Sequence, residues 1–283
     1  MSAITGRGAG AVLETMRVEL RGTLRTWRGP VLAAAAVLTG VGSPLLAHVM
    51  PEMLASTLGE AAAGAIAEPT VGDAWSQWVK NASSLLLIVL VVIAAASIAG
   101  ERSEGITAAE LAGRGARGRG LHVVGKALWL LALTTVATVF SALACLATTA
   151  VLFDGSATWG AGGAGAAHGA LAAGLWALGA LTILGITLLV SAASRSTVLP
   201  ATVGIVLSLL GPTLALWQPV ADWTPLGLGE VASDVATAAA GATGPAAAAD
   251  ALDHLTAAPL LAGIAVPVAL AAGAVVALRR AEL

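Results

Sequence analysis

From Asn81 to Gly100 the chain runs without a charge, and within that stretch Leu85 to Ile93 is an unbroken series of Leu, Ile and Val. A helix rises about 1.5 Å per residue, so roughly 20 apolar residues cross the 30 Å hydrocarbon core of a bilayer. At about −0.3 to −0.6 kcal/mol each, the Leu85–Ile93 run alone favours insertion by about 3 to 5 kcal/mol. The rest of the 283 residues agree: 58% are apolar and 11% charged, against about 25% charged in soluble domains. That composition excludes a soluble or a disordered chain. The lone Cys145 excludes a disulfide framework or a Cys-rich zinc site.

In hydrocarbon every backbone polar group must pair within the protein, which leaves helices or a closed barrel. The apolar runs are continuous and lack barrel-type alternation, so the expected fold is all-α and polytopic. Six spans are expected, at residues 30–50, 81–100, 127–153, 167–193, 198–218 and 259–278. Residues 1–29 then form a cytosolic N-terminal stretch, and 279–283 a short cytosolic tail. The first run has a long basic flank and exceeds the roughly 7–15 residues of a signal-peptide core, so a retained helix is expected.

Charge placement predicts the orientation. With both ends inside, thirteen of the fourteen basic residues fall on the inner side and only Lys80 on the outer, while ten of the sixteen acids lie outside. The positive-inside rule therefore puts both termini in the cytoplasm of a cell-membrane protein. Trp75, Trp78, Trp159 and Trp217 fall near the outer boundary and Trp27 and Trp129 near the inner one, so they are expected as belt anchors.

Ahead of the first span, Leu13, Met16, Leu20, Leu24 and Trp27 recur at helical spacing, and Arg17, Arg21, Arg25 and Arg28 form a basic stripe beside them. An amphipathic helix of this kind lies in the membrane interface and offers guanidinium groups to anionic headgroups. Two readings stand for it: a topological anchor, or an elbow helix that also meets a cytosolic partner.

Gly100 to Lys126 is the one long inner loop, dense in charge. Gly113, Gly115 and Gly118 match GxGxxG, but no strand precedes them and no βαβ unit follows, so a dinucleotide site is not expected. Gly120 to Lys126 matches the opening of a phosphate-binding loop; Ala127 then stands where a magnesium-binding hydroxyl is needed. The loop reads as a solvated topology signal or as a docking site for a soluble partner. Its order resembles the ABC-2 type transporter permeases, whose pattern runs E-R-x-x-G-T, a Leu-rich turn, P-x-S-R, then G-K. Glu101, Arg102, Glu104, Gly105, Thr107, Leu111, Arg117, Arg119, Gly125 and Lys126 fall at the matching places. Ile106 separates Gly105 from Thr107, and Gly115 stands where the family often has Pro.

The resemblance implies the membrane half of an exporter. A second permease subunit, in a homodimer or a heterodimer, completes the pathway. Separate ATPase subunits carry ATP and magnesium, so this chain is expected to bind no cofactor and to be no enzyme. The resemblance makes Ile106 to Leu111 a short coupling helix seated in an ATPase groove, with Glu101, Arg102 and Glu104 in ion pairs near the inner boundary. It puts short re-entrant gate helices within the outer segment 219–258, which also fits a loop; Pro245 suits a helix start.

Other classes are weighed on the residues themselves. Ion-coupled carriers or channels place charges inside their spans, and none falls within the six intervals above. That leaves a stand-alone secondary transporter or channel as the alternative, and it favours an apolar or amphipathic substrate moved by an external energy source. The four histidines have no ligand spacing. Ser141, Thr148, Ser191 and Ser208 lack a His partner and are expected to bond back to helix carbonyls; Cys145 is expected to be a packing residue. Gly174, Ala177, Gly179, Gly185 and Ala193 are expected to let helices approach closely. Nothing points to nucleic acid.

Overall fold

The computed structural model describes residues 2–58, 68–106, 115–153, 155–238 and 257–280, and the side chains of 2–7, 58, 116 and 155–164 are left aside. Among the described residues there are helices and turns and no strand. The interfacial helix α1 covers Ser2–Arg25, and α2 covers Arg28–Leu58. Helix α3 (Val71–Asn81), a π turn (Ala82–Leu86), α4 (Leu87–Ala95), a second π turn (Ala96–Gly100) and α5 (Glu101–Ser103) follow without a break. The long helices α6 (Ala116–Leu152) and α7 (Gly155–Ala193) come next, then α8 (Val198–Ala215), the short α9 (Gln218–Trp223) and α10 (Leu228–Ala238), and finally α11 (Ala257–Arg280). Six of these stretches are long and apolar enough to cross a membrane, as the sequence predicts.

The second span begins well before residue 81. Thr70 caps α3: its hydroxyl accepts the Asp73 N–H at 3.2 Å while the Asp73 carboxylate accepts the Thr70 N–H at 2.9 Å. This reciprocal pair satisfies two amides that a helix start leaves without partners. Beyond it, Val71, Ala74, Trp75, Trp78, Val79 and Ala82 recur at spacings of three and four, and all are buried.

Trp75 and Trp78 are accordingly core residues, and their expected place in an outer belt is corrected. Trp75 meets Trp78 edge-on at 6.1 Å and Trp78 meets Trp176 at 5.6 Å. Such indoles need polar partners when buried. Trp78 Nε1 donates to Ser141 Oγ at 2.9 Å and Trp176 Nε1 to Ser83 Oγ at 3.0 Å. Trp27 and Trp217 are exposed, in keeping with anchoring, and Trp129 is partly buried against the core; the Trp159 side chain lies outside the described set.

Two of the anticipated glycines make helix contacts, and the closest approaches to α6 fall at two others, Gly40 and Gly125. A Cβ at Gly40 would lie 2.5 Å from Ser141 O, and one at Gly125 would lie 2.7 Å from Thr15 Cβ. At those two places α2 and α1 come down onto α6 at nearly backbone distance. Gly179 and Gly185 do face neighbours, whereas Gly174 faces open space. Cys145 is fully buried, as expected.

Part of the 219–258 segment is helical. α9, the turn Pro225–Gly227 and α10 fold back onto the bundle, with Leu228, Ala232, Val235 and Ala236 buried. Pro245 lies outside the described residues.

Candidate functional site

The bundle has a basic end, where α1, α5, the start of α6 and the end of α11 meet, and an acidic end carrying Glu52, Asp73, Asp222, Glu230 and Asp234. At the basic end the second span becomes a hub. Helix α6 starts early, so Lys126 sits inside it, some 10 residues past its first residue and only 1% exposed. The expectation that no charge lies within a span is corrected to that extent.

The Lys126 ammonium is held by two carboxylates, Glu19 of α1 and Glu101 of α5, the latter at 2.6 Å. Glu101 also faces His122 Nε2 at 3.5 Å, and Glu19 faces Arg28 Nη1 at 3.8 Å. Lys126 is the buried cation that both carboxylates share, in a setting where an uncompensated charge is expensive, while the partly solvated Arg28 stands at the rim. Glu19 enters because α1 buries a polar stripe, Thr15, Glu19 and Thr23, against α6. The apolar stripe is turned outward: Leu13, Leu20, Leu24 and Trp27 are exposed and available to lipid. Of the basic stripe, Arg17 pairs at 3.6 Å with Glu14 on the surface, Arg21 and Arg25 are exposed, and Arg28 joins the cluster.

Arg102 points the other way. Its Nη1 donates to Ala192 O at 2.8 Å and to Ser194 O at 3.1 Å, capping carbonyls that the end of α7 leaves without partners. One turn earlier, Ser191 Oγ donates to Ala95 O and accepts the Ala99 N–H, each at 2.9 Å. It serves groups displaced by the Ala96–Gly100 π turn. Ser191 and Ser141 therefore bond across helices, a correction to the expected bonding back. Thr148 and Ser208 do bond back, to Ala144 O and Ile205 O.

Of the residues marked in the loop, Glu101 and Lys126 meet directly and Arg102 joins them through the same short helix. Glu104 is exposed. Gly105 ends the helix with φ at 75°, a left-handed conformation natural to glycine. The coupling-helix positions Thr107 and Leu111 lie outside the described residues. Arg117 is exposed and Arg119 half-buried in the first turn of α6. Gly120 to Lys126 is helical, so its amides serve the helix and form no phosphate cradle. Among the described residues no three of His, Cys, Asp and Glu cluster as a metal site would require.

At the acidic end an apolar cleft of about 400 Å³ opens between the second, fourth and fifth spans beneath α10. Trp176, Ile183 and Leu226 line it, with Lys80, Ser83, Ser208 and Glu230 as polar points. No family model matches this sequence, and no curated protein matches it.

Proposed function

We propose that the chain is the permease subunit of an ATP-driven exporter of the ABC-2 type, working with a second permease subunit and separate ATPase subunits. The basic end faces the cytoplasm of a cell membrane, and the substrate is apolar or amphipathic. The observation that carries this reading is the hub at Glu101 and Arg102. A push on residues 104–115 reaches α1 and the third span through Lys126, and the fourth span through Arg102. Three elements then move with the second as a packed body, which is how a small displacement at one end becomes a change at the other. The cleft at the acidic end has the chemistry for an amphipathic cargo: apolar walls, a few hydroxyls, and Lys80 and Glu230 among its lining.

One observation favours the alternative, a stand-alone ion-coupled transporter: the buried Glu19, His122 and Lys126, with the partly buried Glu101, are the kind of ionisable cluster that proton-linked carriers use. A single experiment separates the two. The chain, expressed beside its neighbouring genes and purified in mild detergent, is expected to bring an ATPase with it. In proteoliposomes, transport then stops without ATP. Glu104→Lys, at an exposed side chain, is expected to lower substrate-stimulated ATP hydrolysis while leaving yield and melting temperature unchanged. Transport that follows a proton gradient with no ATPase present refutes the exporter reading.

A further inference from the structure

The sixth span packs along the fourth and the third but is the least buried of the six, leaving most of its apolar surface open. It touches the fourth span where a Cβ at Gly185 would meet Leu270 at 3.1 Å, and where one at Gly263 would meet Leu178 at 3.5 Å. Towards the third span it leaves a groove of about 770 Å³. Leu128, Leu131, Leu184, Ile264 and Val268 give that groove hydrocarbon walls, and Leu131, Ile264 and Val268 are exposed.

The groove is not uniform along its length. Its basic end is closed by Arg279, whose guanidinium lies over Gly120 so closely that a Cβ there would sit 2.6 Å from Nη2. Exposed Arg117 in the same turn of α6 and exposed Arg280 on α11 surround that end with further positive charge. Bulk lipid tails cover any apolar face, but a groove with a cation at the headgroup level selects by charge. Basic pockets between membrane helices are a known form of anionic-headgroup site.

We propose that this groove is a binding site for an anionic phospholipid, one acyl chain lying between the third, fourth and sixth spans and the phosphate on Arg279. The site is independent of the transport reading, because it uses none of the hub residues. Its occupant fills a gap that side chains leave open, tying the sixth span to the third.

The test uses the full chain, purified in detergent, delipidated, and titrated with phosphatidylglycerol or phosphatidylcholine of identical chains while native mass spectrometry counts retained lipid. Phosphatidylglycerol is expected to be retained in preference. Arg279→Ala weakens it by about fivefold, the factor for one cation at a lipid surface. Ala272→Trp, which fills the groove and keeps the arginine, abolishes the preference. Glycerol phosphate, a headgroup without chains, does not displace the lipid. The proposal is overturned if both variants retain phosphatidylglycerol as the parent does, or if glycerol phosphate competes. In the unmodified protein a photoactivatable phosphatidylglycerol is expected to label peptides within 124–131 and 264–276. Labelling confined to other segments overturns the proposal whatever the variants do.

Discussion

Trp75, Trp78 and Trp176 gather at the acidic end, and Glu19, Glu101, His122 and Lys126 at the basic end; both groups are largely buried, yet they hold helices together by different physics. The indoles contribute area and two neutral hydrogen bonds to serines, each replaceable at moderate cost. The ionic cluster works only as a balanced set, because removing one member strands the others in a medium that does not solvate them. One end tolerates erosion, and the other changes state when a single charge does.

The contrast is tested most severely by Lys126→Met. It leaves two buried carboxylates facing each other and is expected to destabilise the protein by about 3–5 kcal/mol, read as a fall in melting temperature in detergent. Adding Glu19→Gln and Glu101→Gln to the same chain is expected to restore most of the loss. A single variant as stable as the parent would erase the distinction. Ser191→Ala comes next, at about 1–3 kcal/mol, since Ala95 O and Ala99 N–H lose their buried partner. Trp78→Phe keeps most of the ring and gives up one bond to Ser141, for about 1 kcal/mol by the same measurement. Arg28→Ala is the smallest, under about 1 kcal/mol: its contact with Glu19 is 3.8 Å long and partly solvated. Equal losses for Arg28→Ala and Lys126→Met would show that burial does not set the scale.

The membrane class and the number of spans were legible in the sequence because hydrocarbon imposes a length, whereas Glu101, Arg102 and Lys126 were marked only through the resemblance of the loop, which does not say that Glu101 meets Lys126 or that Arg102 caps the end of α7. The start of the second span was missed because Lys80 and Asp73 interrupt the hydropathy, although the recurrence at Val71, Ala74, Trp75, Trp78 and Val79 and the Thr70–Asp73 cap both mark a helix. Glu19 was missed for a different reason. It is an acid inside a basic leader, and only the buried neighbours Thr15 and Thr23, four residues to either side, show which face turns inward. Nothing in a linear pattern says that Lys126 will be shared between α1 and α5; that follows from Gly125 letting Thr15 come close.

The two π turns of the second span carry a consequence of their own. Each holds one residue more than an α-helical turn would and takes it up as a local widening. Deleting one residue between Ala96 and Gly100 would let the segment relax to an ordinary helix with the side chains beyond it kept near their present faces. Glu101 would still meet Lys126 and Arg102 the end of α7, while Ala95 O and Ala99 N–H would return to the helix ladder and no longer need Ser191. The spare residue works as slack: a frame-preserving loss of three bases there should be milder than striking out the ion pair itself.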